Sequence, residues 1–292
     1  MHSGVGGTAV VAVLRNGNGP TVLLPADRDA LPVREITGLP YASTVTATDG
    51  EGKEVPAGTV GTRSGPVLSA ADSLRFTIYG RGGHGSMPQA TVDPVVLAAM
   101  IVVRLQTIVS RETPPGETAV LTVGSLQAGA KSNVIADHAV LQLNIRSYSE
   151  QTRKAILAAV HRIVNAECEA SGSPKDAEFE SFDRFPLTSN DAGTTERVAA
   201  AFGDYFGERA QQMGQQTASE DFSDIPTALG TPYTYWRVGC TDPETYRRAA
   251  DAGRINQDVP VNHSPAFAPV IQPTLDTGTR ALVVAALAWL SR

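Results

Sequence analysis

The alternation of hydrophobic and polar positions is clearest in the middle of the chain. Four stretches are predicted as strands: 74–79, 118–125, 139–145 and 177–182. Two stretches carry apolar residues at helical spacing, 93–109 and 149–170, and begin at residues that suit a helix start, Asp93-Pro94 and Ser149. The order strand, helix, strand, strand, helix, strand is the split-βαβ, ferredoxin-like pattern. It predicts two helices on one antiparallel sheet over residues 68–183.

The flanking sequences are less regular. Apolar runs at 10–14 and 21–24 surround Asn16-Gly17-Asn18-Gly19, a turn signal that predicts a hairpin. Residues 32–66 show little periodicity, although compact domains rarely contain irregular loops longer than about 15 residues. Three further elements are predicted towards the end of the chain: a helix at 192–206, a buried strand at 233–238 and a closing helix at 273–290.

Composition narrows the class of protein. The chain has 292 residues, of which 42% are hydrophobic and 18% charged, so it is expected to bury a core and not to be disordered. A net charge of −6 argues against a broad nucleic-acid-binding surface. No apolar run reaches the roughly 18 residues of a membrane span, and the start at Met1 does not read as a signal peptide. With only two cysteines, a cytoplasmic protein is expected.

Two histidines lie in loops among small residues and are candidate site residues. His84 lies in segment 80–86, which matches the pattern G-x-G-x-x-G of nucleotide-binding loops. That fingerprint needs a helix that opens within the glycines of a parallel βαβ unit, whereas the next predicted helix begins only at Asp93. A flexible glycine turn is therefore favoured, and a loop that presents His84 to a ligand is a third interpretation. His263, in a loop with no local partner, is by itself more typical of a structural histidine.

Acidic residues cluster at two other places. Asp27 and Asp29 stand two positions apart after a predicted strand, and Glu220 and Asp221 follow Ser219. Clustered carboxylates suit metal binding or acid–base chemistry, although alone they more often cap helices or face solvent. The sequence has no G-x-S-x-G, H-E-x-x-H or C-x-x-C motif.

Taken together, these segments resemble the M20 family of metal-dependent amidohydrolases and peptidases, in the branch of hippurate hydrolase-like and auxin-conjugate hydrolase-like enzymes. The matching segments follow in the same order along nearly the whole chain: 6–13, 23–32, 38–43, 80–86, 92–94, 105–111, 132–135, 144–146, 219–222 and 262–265. The resemblance implies an α/β fold in which a zinc-peptidase-like catalytic domain, residues 1–67 and 184–292, is interrupted by a ferredoxin-like α+β lid or dimerisation domain, residues 68–183.

The resemblance also implies a chemistry. Family members use divalent metal ions such as zinc or manganese to hydrolyse the amide bond of N-acyl amino acids or related conjugates, and they commonly dimerise through the lid. By this likeness His84 reaches across the homodimer to polarise the scissile carbonyl, and Asn133 and Arg146 hold the substrate carboxylate. His263 matches a metal ligand, and Asp29 and Glu220 are assigned to the catalytic site.

The chain departs from the family pattern between residue 43 and the lid. The family carries there a Cys-Gly-His-Asp motif, a Glu-Glu pair and a further histidine, whereas here 51–56 leads directly to 57–61, which resembles the strand entering the lid. An internal deletion of the block with most metal ligands and the general base is therefore inferred, and the family's N-terminal helix is expected to be missing too. Because a two-metal site needs several ligands per ion, metal binding is expected to be weak or lost and hydrolysis slight or absent. The alternative function is a non-catalytic dimeric remnant that binds carboxylate ligands or partners through its lid.

Overall fold

The computed structural model describes residues 2–5, 9–15, 18–26, 37, 56–260 and 264–290. Its strands are β1 (His2–Val5), β2 (Ala9–Val11), β3 (Val60–Thr62), β4 (Gly65–Leu68), β5 (Ala70–Tyr79), β6 (Gly83–His84), β7 (Ala119–Ala128), β8 (Val134–Ile135), β9 (His138–Ser147), β10 (Glu178–Phe185), β11 (Thr188–Asn190), β12 (Ala210–Gln212) and β13 (Arg237–Val238). Its helices are α1 (Pro94–Thr107), α2 (Glu150–Ala170), α3 (Ala192–Phe206), α4 (Asp224–Leu229), α5 (Pro243–Asp251), α6 (Ile255–Asp258) and α7 (Ile271–Leu290).

The middle of the chain forms an antiparallel sheet that two helices cover on one face. The strand order is β10-β5-β9-β7, and α1 and α2 pack on the sheet; these six elements are called the lid below. Burial alternates along β5 and β9, because one sheet face meets the helices. Phe76, Ile78 and Leu141 from the strands meet Ile101 and Val160 from the helices in one buried core. The predicted order of elements is confirmed.

The lid helices begin where their capping residues predict. The Asp93 side chain accepts a hydrogen bond from Val95 N at 2.8 Å, and the Ser149 hydroxyl accepts one from Thr152 N at 3.3 Å. Each bond satisfies one of the N–H groups that a helix start leaves without an intrahelical acceptor. The caps therefore fix where α1 and α2 begin on the sheet.

A second, smaller core lies outside the lid. Helices α3 and α7 pack together and cover a short sheet of order β12-β3-β13. Val60 and Phe202 are buried there, and the Phe202 ring meets Trp236 edge to face at 5.6 Å. The bounds of α3 match the predicted 192–206. Helix α7 is continuous only from Pro273, as predicted, because Gln272 before it is extended.

Several predictions for the flanking regions are wrong. Within the described residues, 12–15 and 20–26 form no strands, and β2 pairs instead with β1. Leu14 is 95% exposed, so the predicted hairpin has no apolar surface on which to pack. Its Asn16-Gly17 turn lies outside the described residues.

The stretch 32–66 is also more regular at its end than predicted. Residues 32–36 and 38–55 lie outside the described part of the chain, but β3 and the start of β4 fall within 60–66. Val60 is buried in the second core, which explains why an apparently irregular sequence forms a strand there. The strand predicted at 233–238 is reduced to β13.

Helix α1 has two apolar faces. With its last turn it spans Pro94–Glu112, and in the described part of the chain this is a helix long and apolar enough to cross a membrane by length and composition. Its inner face, with Leu97 and Leu105, is buried in the lid core. Its outer face carries Val96 and Val103, which are 60% and 69% exposed.

Candidate active site

The glycine-rich segment 80–86 extends the lid sheet. Strand β6 pairs with β8, and Gly80 N donates to Asp137 O at 2.8 Å, so the segment continues the β5–β9 ladder beyond the end of the sheet. Glycine is required for this close approach, since a Cβ on Gly80 would lie 2.3 Å from Val92 O. The segment is therefore a built ladder, and describing it as a flexible turn is wrong. Its antiparallel pairing is also incompatible with the nucleotide fingerprint.

His84 is exposed at the end of this ladder. Its Nδ1 accepts a hydrogen bond from Ser86 N at 3.2 Å and lies 2.7 Å from the Ser86 hydroxyl. Gly85 N donates to Asn133 O at 2.9 Å. The structure thus brings the main chains of two predicted site residues, His84 and Asn133, to the same end of the lid. Ser86 was not among the predicted site residues, although it stands only two positions after His84 in the same glycine-rich segment.

Arg146 lies near the opposite end of the lid sheet. Its Nη1 donates to Thr217 O at 2.8 Å and to the Ser219 hydroxyl at 3.1 Å, and its Nε donates to Asn144 Oδ1 at 3.1 Å. The Ser69 hydroxyl also lies 3.0 Å from that of Ser219. These bonds leave the two Nη2 hydrogens of the guanidinium without an acceptor among the described residues.

A buried ion pair fixes this end of the lid. Arg153 Nε and Nη2 donate to the two Asp72 carboxylate oxygens at 2.6 and 2.5 Å, which joins α2 to β5. This hydrogen bonding raises the pKa of Arg153, so its guanidinium stays charged.

Tyr148, which follows β9, binds the chain outside the lid. Its hydroxyl donates to Gln216 O at 2.6 Å, and burial raises the pKa of Tyr148. Lid side chains therefore hold the backbone that leads to Glu220.

Glu220 lines a cavity of about 940 Å³ outside the lid. The walls are largely apolar and include a group of aromatic rings, in which Phe222 lies 5.6 Å from Tyr233 and 5.5 Å from Tyr235. Residues 20–26 form one side, and parts of α3 and α7 form another. Sequence reasoning missed this cavity, because it is assembled from segments far apart in the chain.

The predicted metal and acid–base residues are only partly described. Asp29 and His263 lie outside the described residues, and so does Asp27. Within 56–260, 264–290 and the short described N-terminal stretches, no three His, Cys, Asp or Glu side chains come together as a metal site requires. The described residues alone therefore do not fit the two-metal centre of an amide hydrolase.

The residues predicted to bind substrate are divided between the two ends of β9. His138 pairs with Tyr79 at the end where His84 lies, and Arg146 pairs with Ala71 at the other end. His138 and Arg146 are eight positions apart, which corresponds to about 25 Å along an antiparallel strand. An N-acyl amino acid is much shorter, so in one chain it cannot contact both His84 and Arg146. The prediction that Asn133 and Arg146 act on one carboxylate is therefore not met within a single chain.

Comparison with known proteins places these features in context. Residues 69–171 match the family model described as a peptidase dimerisation domain. The chain is 27% identical to N-acetylcysteine deacetylase of Bacillus subtilis (strain 168), over 74% of this chain and 73% of that protein. It is 26% identical to hippurate hydrolase of Campylobacter jejuni, over 76% of this chain and 74% of that protein.

Solved structures have the same fold. A putative aminohydrolase from methicillin-resistant Staphylococcus aureus has a TM-score of 0.66 at 27% identity, over 80% of this chain and 55% of that one. A dinuclear metal-binding peptidase of the M20 family from Bacillus subtilis has a TM-score of 0.63 at 20% identity, over 90% of this chain and 78% of that one. The second likeness concerns the fold alone.

Proposed function

This chain belongs to the M20 family of peptidases and amidohydrolases, and from that premise we propose that two copies of it together bind an N-acyl amino acid or a related conjugate. We propose further that they hydrolyse its amide bond weakly or not at all. The observation that carries the proposal is the separation of His84 and Arg146 at opposite ends of β9. Each end of the lid offers only half of the contacts that the ligand needs. A complete site therefore takes the His84 end of one copy and the Arg146 end of the other.

The two halves suit the two ends of such a ligand. The Arg146 guanidinium, with Nη2 available, can pair with the amino-acid carboxylate in a charge-assisted hydrogen bond. His84 and Asn133 from the other copy can hydrogen-bond the acyl carbonyl. Hippurate, N-benzoylglycine, is a suitable probe because it has both groups.

A symmetric dimer through β7 would bring the halves together. Strand β7 is at the edge of the sheet, and its Ala128 end pairs with Ala139 of β9 while its Ala119 end pairs with Ser147. If two β7 edges pair antiparallel, the Ala128 end of one copy meets the Ala119 end of the other. Because β6 continues the line of β5, His84 of one copy then lies about four strand spacings, roughly 20 Å, from the β9 strand carrying Arg146 in its partner. The His84 and Arg146 side chains, which each extend several Å from the backbone, must span that distance together with the ligand.

Apolar exposure supports this surface as the dimer interface. Val120 and Leu126 on β7 are 43% and 42% exposed, although edge strands usually carry charges that discourage pairing. On α1, Val96, Met100 and Val103 are more than half exposed and recur at the three- and four-residue spacing of one helix face. An unpaired strand edge and an adjoining apolar helix face are together typical of a self-association surface.

Charging the outer face of α1 should prevent dimer formation. Val96→Asp and Val103→Asp each place a carboxylate in an apolar interface, where an unpaired charge is strongly unfavourable. The expected mass in analytical ultracentrifugation falls from twice 30.7 kDa to 30.7 kDa. Val283→Asp is the matched control, since Val283 is 53% exposed on α7 outside the lid, and it should leave the dimer intact. A dimeric Val96→Asp/Val103→Asp chain would contradict the proposed interface.

The proposal of low hydrolytic activity is supported by the lengths of the alignments. The stretch aligned with N-acetylcysteine deacetylase is 279 residues long but takes in 74% of this 292-residue chain, or about 216 residues. The stretch aligned with hippurate hydrolase is 289 residues long and takes in 76%, or about 222 residues. Each alignment is therefore longer than the part of this chain that it takes in. That is expected if this chain lacks an internal block of its relatives' sequence at the junction between 51–56 and 57–61.

Hippurate and metal should be measured on the same full-length preparation. We expect saturable hippurate binding by calorimetry, well below two metal ions per chain by elemental analysis after zinc or manganese supplementation, and little or no release of benzoate. Mass spectrometry on that sample checks that the chain is intact. No hippurate binding by the dimer would contradict the proposal.

The second candidate is an active amidohydrolase. It is favoured by the relatives, which include a deacetylase and a hippurate hydrolase, and it requires Asp29, Glu220 and His263 to hold metal together. It requires about two tightly held metal ions and benzoate release that stops on chelation. The division into a lid at 68–183 and a catalytic remnant at 1–67 and 184–292 stays a prediction, and so does a cytoplasmic location.

A further inference from the structure

The hydrogen bonds made by Ser86 determine which nitrogen of His84 carries the proton. The Ser86 backbone N–H lies 3.2 Å from His84 Nδ1, and a backbone N–H can only donate. Nδ1 must therefore be the acceptor, and the Ser86 hydroxyl, 2.7 Å away, supports it as a second donor. In the neutral ring the proton is then on Nε2, at the exposed side of the residue.

Another lid histidine has the opposite arrangement. His138 Nδ1 lies 2.6 Å from Asp137 Oδ1, and an ionised carboxylate can only accept a hydrogen bond. His138 must therefore carry its proton on Nδ1. The same hydrogen bond lowers the pKa of Asp137, which keeps that carboxylate ionised. Both side chains are exposed, so the difference between the two rings comes from their immediate partners.

We propose that Ser86 is a positioning residue that holds His84 as the Nε2–H tautomer, so that the lid presents a hydrogen-bond donor to a ligand oxygen. A donor at Nε2 suits an acyl carbonyl, whereas a lone pair there would repel the carbonyl oxygen. His84 in this state is not a general base towards the ligand. The role of the donor rests on the proposed function, but the tautomer itself does not.

The tautomer can be measured directly in the full chain. With ¹⁵N-labelled histidine at about pH 8.5, two units above the ordinary histidine pKa near 6.5, long-range ¹H–¹⁵N correlation distinguishes protonated from unprotonated ring nitrogens. We expect His84 as Nε2–H and His138 as Nδ1–H in the same spectrum, with His84 assigned from its loss in His84→Gln. His84 found as Nδ1–H in the unaltered chain would overturn the proposal.

Variants at position 86 test the hydroxyl. Ser86→Ala removes it, and the ratio of Nε2–H to Nδ1–H at His84 should fall between about twofold and tenfold, the usual range for one hydrogen bond. Ser86→Thr keeps the hydroxyl and should restore the ratio, while His138 stays unchanged throughout. An unaltered ratio in Ser86→Ala would overturn the role of the hydroxyl.

Hippurate affinity provides the functional comparison. Affinity should follow the fraction of His84 in the Nε2–H form, so Ser86→Ala should weaken binding by the factor by which the measured tautomer ratio lowers that fraction, and Ser86→Thr should restore it. Affinity that does not follow the measured fraction would overturn the positioning role. If the unaltered dimer does not bind hippurate, the proposed function fails, and the tautomer measurements still decide whether Ser86 controls the His84 proton.

Discussion

Mixing His84→Ala and Arg146→Ala chains should restore hippurate binding of full affinity, which each variant alone has lost. Arg146→Ala removes a charge-assisted pair and should weaken binding by about 30-fold or more, and His84→Ala removes a hydrogen bond and should weaken it by about tenfold. In a mixed dimer, one site combines His84 of one chain with Arg146 of the other, and the second site has neither. Random exchange makes half of the dimers mixed, so about a quarter of all sites should recover.

Calorimetric stoichiometry after unfolding and joint refolding of the two variants measures this recovery. The control mixture is His84→Ala with His84→Ala/Arg146→Ala, in which no dimer can form an intact site. Mass spectrometry of the intact assembly reports whether mixed dimers are present. Mixed dimers without recovered sites would mean that His84 and Arg146 do not act on one ligand across the interface.

The lid could be predicted from sequence because its signals are local. Alternation with period two fixes which face of each strand meets the helices, and Asp93 and Ser149 mark the helix starts by hydrogen bonds two to three residues away. The predicted strand 139–145 also bears on the distance between two predicted site residues. Asn133 precedes that strand and Arg146 follows it, so a strand of that length already separates them by some 20 Å or more.

Other features could not be predicted because their partners are distant in the chain. Arg146 meets Thr217 and Ser219 more than 70 positions away, and nothing in the sequence around either segment specifies that contact. The wrong hairpin prediction has a related cause. Apolar strands form a stable hairpin only on a surface that buries them, and Leu14 has no such surface. Local turn chemistry alone was not sufficient.

Asp72→Ala should destabilise the chain by about 3–5 kcal/mol, the usual effect of breaking a buried ion pair. The Asp72 side chain is 4% exposed and that of Arg153 12%, so the substitution leaves a guanidinium out of water without its carboxylate. Urea unfolding followed by the circular dichroism of the lid helices measures the change in the free energy of unfolding. A loss below about 1 kcal/mol would mean that solvent reaches Arg153 and replaces the pair.

Two controls separate the buried pair from charge in general. Arg153 also binds Glu150 at 3.0 Å, but Glu150 is 47% exposed, so Glu150→Gln should change stability by no more than about 1 kcal/mol. The double variant Asp72→Leu/Arg153→Met removes both charges and should be more stable than Asp72→Ala alone, because no buried charge is then left unpaired. Since Asp72 lies on β5 and Arg153 on α2, next to the strand end that carries Arg146, hippurate affinity should fall with lid stability in Asp72→Ala and recover in the double variant.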